Sequence, residues 1–487
     1  MVIFMDNALS NYINKQLTEV PSSLNNKLFS FNGIKYNKRH EFDIIKRRID
    51  DYLQHESDER LFILPGLRGV GKTTLLYQAY EYLLKQKDIS SSDILYISCD
   101  EINALGEVNL KDVIEDYLQT VHNTTPALLD KQLFIFIDEA HYDKNWDLHV
   151  KLIYDKTFNI FMMLSGSSSL HLNFNADVAR RLKMHEILPL NYTQHLKLKY
   201  DYSTHISNDL VELLFEGNVK NAQKREFKTF QDLINIDGYV LNDWETYFKY
   251  GGFCSVLNKK YLTDMTEELW SIVSKIITQD ITPEYNLNKN AQDNVYRVLV
   301  LISSQKPGQI SQNKVAANLN NSTSTINRIF NILEQTRIMF HYQAYGGSET
   351  QSRRSWKYYI ATPSLKNGIN KKFGHSITKK QDYEGILLEN LVASLLFNLK
   401  NRLSYQPDKI FNIFYDKTSG GPDFIIQKEF HQPIPIEVGI GKKNNRQVKK
   451  FMNKYDSPYA IIISNKTNKI EKNDDIIYVP PKTFSFI

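Results

Sequence analysis

Apolar residues fall into two rhythms along this chain. Short unbroken runs, Leu61-Phe-Ile-Leu64, Ile94-Leu-Tyr-Ile97, Leu133-Phe-Ile-Phe-Ile137 and Ile160-Phe-Met-Met-Leu164, predict strands buried on both faces, as in a parallel sheet. Between them the spacing changes to threes and fours. Phe42, Ile45, Ile49 and Leu53 within Arg39–Leu53, then Leu75, Leu76, Ala79 and Leu83, predict helices, with a further helix around Leu110–Val121. His185–Leu190 reads as the last strand of this half, so the first part of the chain alternates strand and helix in the α/β manner.

The rhythm then turns helical. Residues 191–290 read as helices interrupted by the turn Phe248-Lys-Tyr-Gly-Gly-Phe253, with Trp244, Phe248 and Phe253 as core. Three helices follow, one through Val295, Val298, Leu299 and Ile302, one over Ser311–Leu319, and one from Asn321 to Leu333 that opens on capping residues. Ile338–Tyr342 and Trp356–Ile360 read as two strands around a loop holding Gly346, Gly347, Arg353 and Arg354. Three helices and a hairpin in this order predict a winged helix, with Asn321–Leu333 as the recognition-type helix. The last stretch reads helix (Glu384–Phe397), hairpin (Phe411–Tyr415, then Asp423–Ile426), strand (Pro435–Ile440), helix from Gln447, and strand (Tyr459–Ile463).

At 487 residues the chain has room for roughly three domains, at ~150 residues each. An apolar content of 42% excludes a disordered chain. Two cysteines, Cys99 and Cys254, exclude a disulfide framework and a cysteine-rich zinc site, and a reducing cytoplasmic location is expected. No apolar run reaches the ~18 residues of a membrane span, and the first residues turn acidic too soon for a signal peptide. Net charge is only +5, but eight Lys/Arg against three Asp/Glu between 291 and 360 place that excess on the winged-helix stretch. Basic charge gathered on such a motif is the footprint of phosphate contact, with Arg328, Arg353, Arg354 and Lys357 as candidates. The alternative is a winged helix that packs against protein.

Chemistry concentrates at the strand ends. Gly66-Leu-Arg-Gly-Val-Gly-Lys72-Thr73 matches G-x-x-x-x-G-K-[ST] between a strand and a helix, the setting of a phosphate-cradling P-loop. Backbone N–H groups of Gly66, Leu67, Arg68, Gly69, Val70 and Gly71, with Thr74, would surround the phosphates of ATP. Lys72 would meet the β/γ-phosphates, and Thr73 would offer its hydroxyl to Mg²⁺. Leu133–Ile137 ends in Asp138-Glu139, a Walker B pattern: Asp138 for Mg²⁺, Glu139 as the base that polarises water. Asp138-Glu-Ala-His141 also spells a helicase box, but no further helicase motif follows in order. Ser165 and Ser167, with Ser168, close the next strand as candidate γ-phosphate sensors, or as simple helix caps. Arg180 and Arg181 would reach a neighbouring subunit's γ-phosphate as arginine fingers, or else form a solvated face.

The order Gly66–Thr73, Asp138-Glu139-Ala140, Ser165–Ser168, Arg180-Arg181 and Leu188-Pro-Leu190 resembles the prokaryotic AAA+-like ATPases of the archaeal type. The resemblance covers about residues 39–480 and implies ATP hydrolysis coupled to DNA transactions, with a helical lid and a C-terminal nuclease-like domain. The expected layout is therefore an N-terminal extension (1–38), an αβα P-loop core (39–195), a lid (196–290), a winged helix (291–362) and a nuclease-like α/β domain (363–487). Expected partners are DNA, with a second copy of the chain or another protein; a signalling or scaffold NTPase is the alternative. The last domain resembles the PD-(D/E)xK nuclease fold, in which Asp423 and Glu437 would bind Mg²⁺ and a lysine two residues after the glutamate assists. That position is Gly439, so weak or absent cleavage is expected unless Lys442 or Lys443 substitutes.

Overall fold

Four apolar runs and one two-residue strand form one sheet in the order β2-β3-β4-β1-β5. They are β1 (Leu61–Pro65), β2 (Ile94–Ser98), β3 (Leu133–Asp138), β4 (Ile160–Gly166) and β5 (Lys183–Met184). The strand expected over His185–Leu190 is replaced by Lys183–Met184, with only Ile187 bridged, to Gly66. All pairs are parallel, for example Leu61↔Met162 and Ile137↔Leu164. This is a computed structural model, which describes residues 2–106, 108–167, 180–352, 356–374, 379–404, 406–441 and 445–487. It divides into two units, residues 1–188 and 189–487.

In the first unit β1, β3 and β4 are buried along their whole length, which explains why they read as unbroken apolar runs. The helix Leu110–His122 lies against them. Asn109 caps its start by accepting the Asp112 N–H, and Asn123 ends it in the left-handed region at φ 50°. The expected extension over 1–38 needs correcting. A helix over Val2–Leu28 is a layer of this unit: Leu9, Tyr12 and Ile13 join its core, and the Tyr12 hydroxyl accepts the Ser98 N–H at 2.9 Å. Its apolar residues have no glycine loop or acid pair beside them, so the pattern alone did not tie them to the sheet.

The second unit carries a nine-stranded sheet in the order β13-β14-β12-β11-β10-β9-β7-β8-β6. Its strands are β6 (Gln309–Ile310), β7 (Met339–Ala344), β8 (Trp356–Ile360), β9 (Asn412–Tyr415), β10 (Phe424–Gln427), β11 (Ile434–Gly439), β12 (Ala460–Ser464), β13 (Glu471–Asn473) and β14 (Ile476–Val479). The hairpin β7–β8, with β6 on its edge, follows the helices Lys289–Ser304, Gln312–Asn318 and Thr323–Gln335. β7 continues past that hairpin and pairs in parallel with β9, Gln343↔Phe414. The sheet is therefore continuous across the expected 362/363 boundary. One apolar core runs from Tyr192 through Phe340 and Leu391 to Ile487. Asn390, in the helix Lys380–Leu403, exchanges both amide hydrogen bonds with the Ile360 backbone, at 3.1 and 2.8 Å, and so sets that helix against β8. No helix among the described residues is long and apolar enough to cross a membrane.

Candidate functional site

β1, β3 and β4 are parallel, so the glycine loop, Asp138-Glu139 and Ser165 all leave the sheet at its carboxyl edge, where ligands sit in such folds. The loop needs its glycines. Gly71 sits at φ 99°, directly before the helix Lys72–Gln86, in a region that side chains resist. At Gly66 a Cβ would stand 2.5 Å from the Ile187 carbonyl oxygen. Gly66→Ala is therefore expected to push β1 and the 187 backbone apart, costing roughly 1–3 kcal/mol. A thermal melt should shift down and ATP binding should weaken; an unchanged melt would contradict the close approach.

Lys72 is buried, its ammonium donating to the carbonyls of Gly66 at 2.9 Å and Leu67 at 3.1 Å. It is thus held over the loop that would cradle phosphate. Arg68 reaches the Tyr142 hydroxyl at 3.2 Å, while Leu67 and Val70 are buried and anchor the loop. Asp138 joins the elements together. Its Oδ2 accepts the Thr73 hydroxyl at 2.8 Å and the Tyr96 hydroxyl at 2.9 Å, and its Oδ1 accepts the Ser165 hydroxyl. Burial first, and the Asp138 carboxylate second, push the Tyr96 phenol well above its usual range, so it stays a donor. The two groups expected to hold Mg²⁺, Thr73 and Asp138, already meet; the oxygen-only donor set suits that ion.

Ser165 differs from the expected sensor. It is fully buried, donates to Asp138, and accepts the Glu139 N–H at 3.3 Å. It therefore positions the two acids rather than presenting an open hydroxyl. Ser167 donates its N–H to His141 Nδ1 at 3.3 Å, and that nitrogen lies 3.3 Å from Glu139 Oε2. Glu139 itself stands at φ 53°, a left-handed conformation uncommon outside glycine, and functional sites often hold such residues. Ser168 lies outside the described residues. Arg181 forms a two-point pair with Asp155, 2.7 Å from Nε and 3.3 Å from Nη2. Both precede strands, Asp155 before β4 and Arg181 before β5, so the pair sits at the amino edge, away from this chain's own glycine loop. Arg180 adjoins it in sequence.

Sequence reading missed one buried pair beneath the loop. Arg39 is paired with Glu41 at 3.0 and 2.9 Å and also donates to the carbonyls of Val70 and Leu188. Nothing in local spacing announces a contact from residue 39 to residue 70.

The second unit corrects another expectation. Lys357 was expected to face DNA, but its side chain is 10% exposed, and its ammonium lies 2.5 Å from Glu389 Oε1 and 3.9 Å from Asp423 Oδ1. Strand alternation turns Lys357 inward, over the Tyr359 and Phe424 rings. Tyr359 donates to the same Glu389 oxygen at 3.0 Å. Burial raises the Glu389 pKa, opposed first by Lys357. Asp423 and Glu437 do come together: Phe424 pairs with Ile436, and Asp423 Oδ2 accepts the Val438 N–H at 2.9 Å. Glu437 is 1% exposed. Among the described residues no three His, Cys, Asp or Glu side chains converge as a metal cage. Arg328 is exposed on the helix Thr323–Gln335 and donates to the Tyr285 carbonyl at 3.1 Å. Arg353, Arg354, Lys442 and Lys443 lie outside the described residues.

Residues 58–196 match the family model of the AAA domain. Over this stretch the chain is similar to the AAA domain family. The match spans the glycine loop, the acid pair, Arg180 and Arg181. Residues 241–375 match a second model, described as a domain of unknown function. An uncharacterized protein of Methanocaldococcus jannaschii is 29% identical over 476 residues, 98% of this chain and 93% of its own length. One from Haemophilus influenzae is 22% identical over 444 residues, 88% of this chain and 96% of its own length. Among solved structures, the Aeropyrum pernix ORC2 protein is 12% identical at a TM-score of 0.36, covering 68% of this chain and 94% of that one. A Thermotoga maritima RuvB mutant is 12% identical at 0.31, covering 72% and 98%. At these scores neither likeness bears on function.

Proposed function

We propose that this chain is a Mg²⁺-dependent ATPase whose nucleotide cycle is coupled to DNA. The observation that carries the ATPase reading is the Thr73–Asp138–Ser165 chain of hydrogen bonds at the mouth of the glycine loop. Lys72 would turn from the Gly66 and Leu67 carbonyls to the β/γ-phosphates, and the loop N–H groups would hold the phosphate chain. Thr73 and Asp138 would hold Mg²⁺. What the ion supplies there is compensation of the charge that builds on the phosphoryl oxygens. Glu139, fixed by Ser165 through its N–H, would orient the attacking water and accept its proton.

Coupling to DNA rests on the charge distribution and on the arrangement of residues 289–360. Three helices and an antiparallel hairpin are read as a winged helix, with Thr323–Gln335 as its recognition helix. That helix buries Ile326, Ile329, Phe330, Ile332 and Leu333 and exposes Ser322 to Ser324 and Arg328. Residues 196–290 are read as the lid and 363–487 as a nuclease-like domain.

ATP turnover measured with and without duplex DNA, at two salt concentrations, tests the proposal. DNA is expected to stimulate turnover, and less so at high salt. Replacing Arg328, Arg353 and Arg354 together by Ala should weaken duplex binding at every sequence and flatten the salt slope by roughly 0.9 per lost phosphate contact. Unchanged affinity and slope would assign this segment to protein packing instead.

A further inference from the structure

The helix Lys220–Ile234 buries polar residues and exposes apolar ones. Ala222, Glu226, Thr229 and Leu233 face inward, whereas Phe227 and Ile234 are 66% and 69% exposed. The chain that follows adds Val240 at 48% and Leu241 at 79%. We propose that this surface docks an acidic, amphipathic helical segment of another protein. Such docking needs neither ATP turnover nor DNA, so it stands apart from the reading above.

The exposure is built into the fold. Glu226 accepts the Ile470 N–H at 2.8 Å and the Thr483 hydroxyl, and Gln223 Nε2 donates to the Ile470 carbonyl at 3.0 Å. Thr229 Oγ1 lies 2.9 Å from Thr204 Oγ1. Positions 226 and 229 share one side of a helix, so these partners fix how it is rolled against the C-terminal segments. Phe227 then stands roughly 100° further round, in solvent, and Ile234, seven residues on, lies on its side. Rolling the helix to bury Phe227 would strip the Glu226 carboxylate of both donors and leave the Ile470 N–H without its acceptor.

The free charges of the helix are of one sign. Lys220, Lys224 and Lys228, four residues apart, are exposed on the side of Phe227, and none of the three has an ion pair among the described residues. Its other charged groups are occupied: Arg225 pairs with Asp209 at 2.9 Å, Asp232 accepts the Tyr202 hydroxyl at 3.3 Å, and Glu226 faces inward. Apolar side chains set among uncompensated cations complement a helix with leucine-like residues along one stripe and carboxylates beside it. A nucleic-acid backbone would answer the lysines but lay a polar surface over Phe227, Ile234 and Leu241. A planar anionic bilayer would also be drawn against Asp237 and Glu245, which are exposed on either side of Val240 and Leu241 in the chain. A single helix, ~10 Å across, need not cover them.

The test uses the full chain and a fluorescent synthetic helix of about 18 residues, with leucines at helical spacing and glutamates elsewhere. One control peptide carries lysines in place of the glutamates, and another has the same composition with the spacing scrambled. By anisotropy the acidic amphipathic helix is expected to bind about tenfold or more tighter than either control, and to weaken as salt rises. Phe227→Ser should weaken it about tenfold, and Lys224→Glu with Lys228→Glu should do the same while flattening the salt dependence. Melting temperatures should stay at the parent's, because these side chains are exposed. If the melt of Phe227→Ser does shift, Ile234→Ser is read in its place, with the same tenfold loss expected. Equal binding of the three peptides, no binding of any, or variants that bind like the parent overturn the proposal. Phosphatidylserine–phosphatidylcholine vesicles and a duplex oligonucleotide are titrated alongside. If the same substitutions weaken binding to one of these and leave the acidic helix unaffected, the surface belongs to that ligand and the proposal is overturned.

Discussion

Glu139→Gln is expected to slow ATP hydrolysis by roughly two to four orders of magnitude while leaving ATP affinity close to the parent's. The amide keeps the shape of the side chain, and the Glu139 N–H can still donate to Ser165. What is lost is the group that accepts the proton of the attacking water. Lys72→Ala should behave differently. It removes the ammonium that spans Gly66 and Leu67, so binding and turnover should fall together. Fluorescent-nucleotide titration and single-turnover hydrolysis separate the two. Parental turnover in Glu139→Gln would mean that another group, with His141 the first to examine, acts as base.

Arg39→Met is expected to lower the melting temperature by roughly 10 °C, from a cost of about 3–5 kcal/mol. The Arg39 and Glu41 side chains are 4% and 8% exposed, so removing the guanidinium strands a carboxylate away from water. It also takes the donor from the Val70 carbonyl, which should loosen the glycine loop and weaken ATP binding. Arg39→Met with Glu41→Leu should recover most of the melting temperature, because no charge is then left buried without its partner. The pair also has a pH signature. Burial pushes the Glu41 carboxyl up, but Arg39 overrides this and holds it down, at about 2. The unfolded carboxyl titrates near ~4.3. The pair's contribution is therefore complete above that value and is lost as pH falls toward the folded one. The double variant should lack this acid limb. A single variant melting with the parent would show that the pair does not support the loop.

Much of the first unit could be read from the chain itself, because its chemistry is local. A glycine loop needs its residues within one turn, and Gly66 to Thr73 are consecutive. A strand buried on both faces has to be apolar throughout, so Leu133–Ile137 marked β3, and Asp138-Glu139 marked the edge where it ends. The same locality explains why Phe42, Ile45 and Ile49 correctly outlined a helix. Contacts between distant segments leave no such mark. Tyr96, Ser165 and Thr73 meet on Asp138 only because β2, β3, β4 and the loop share one edge of a sheet. Arg39 reaches Val70 for a similar reason.

The second unit shows the limit most clearly. Lys357 counted as one basic residue among eight between 291 and 360, and a charge count cannot say which way a side chain points. Its direction follows from the alternation of β8, and its neighbours follow from β7 pairing with β9 and from Asn390 holding Ile360. Sequence by itself determined the residue types, their local periodicity and the glycine loop, because backbone sterics and burial act over a few neighbouring residues. Only tertiary structure decided which carboxylates the lysine meets, because strand pairing, not sequence distance, brings residues 357, 389 and 423 within reach of one another.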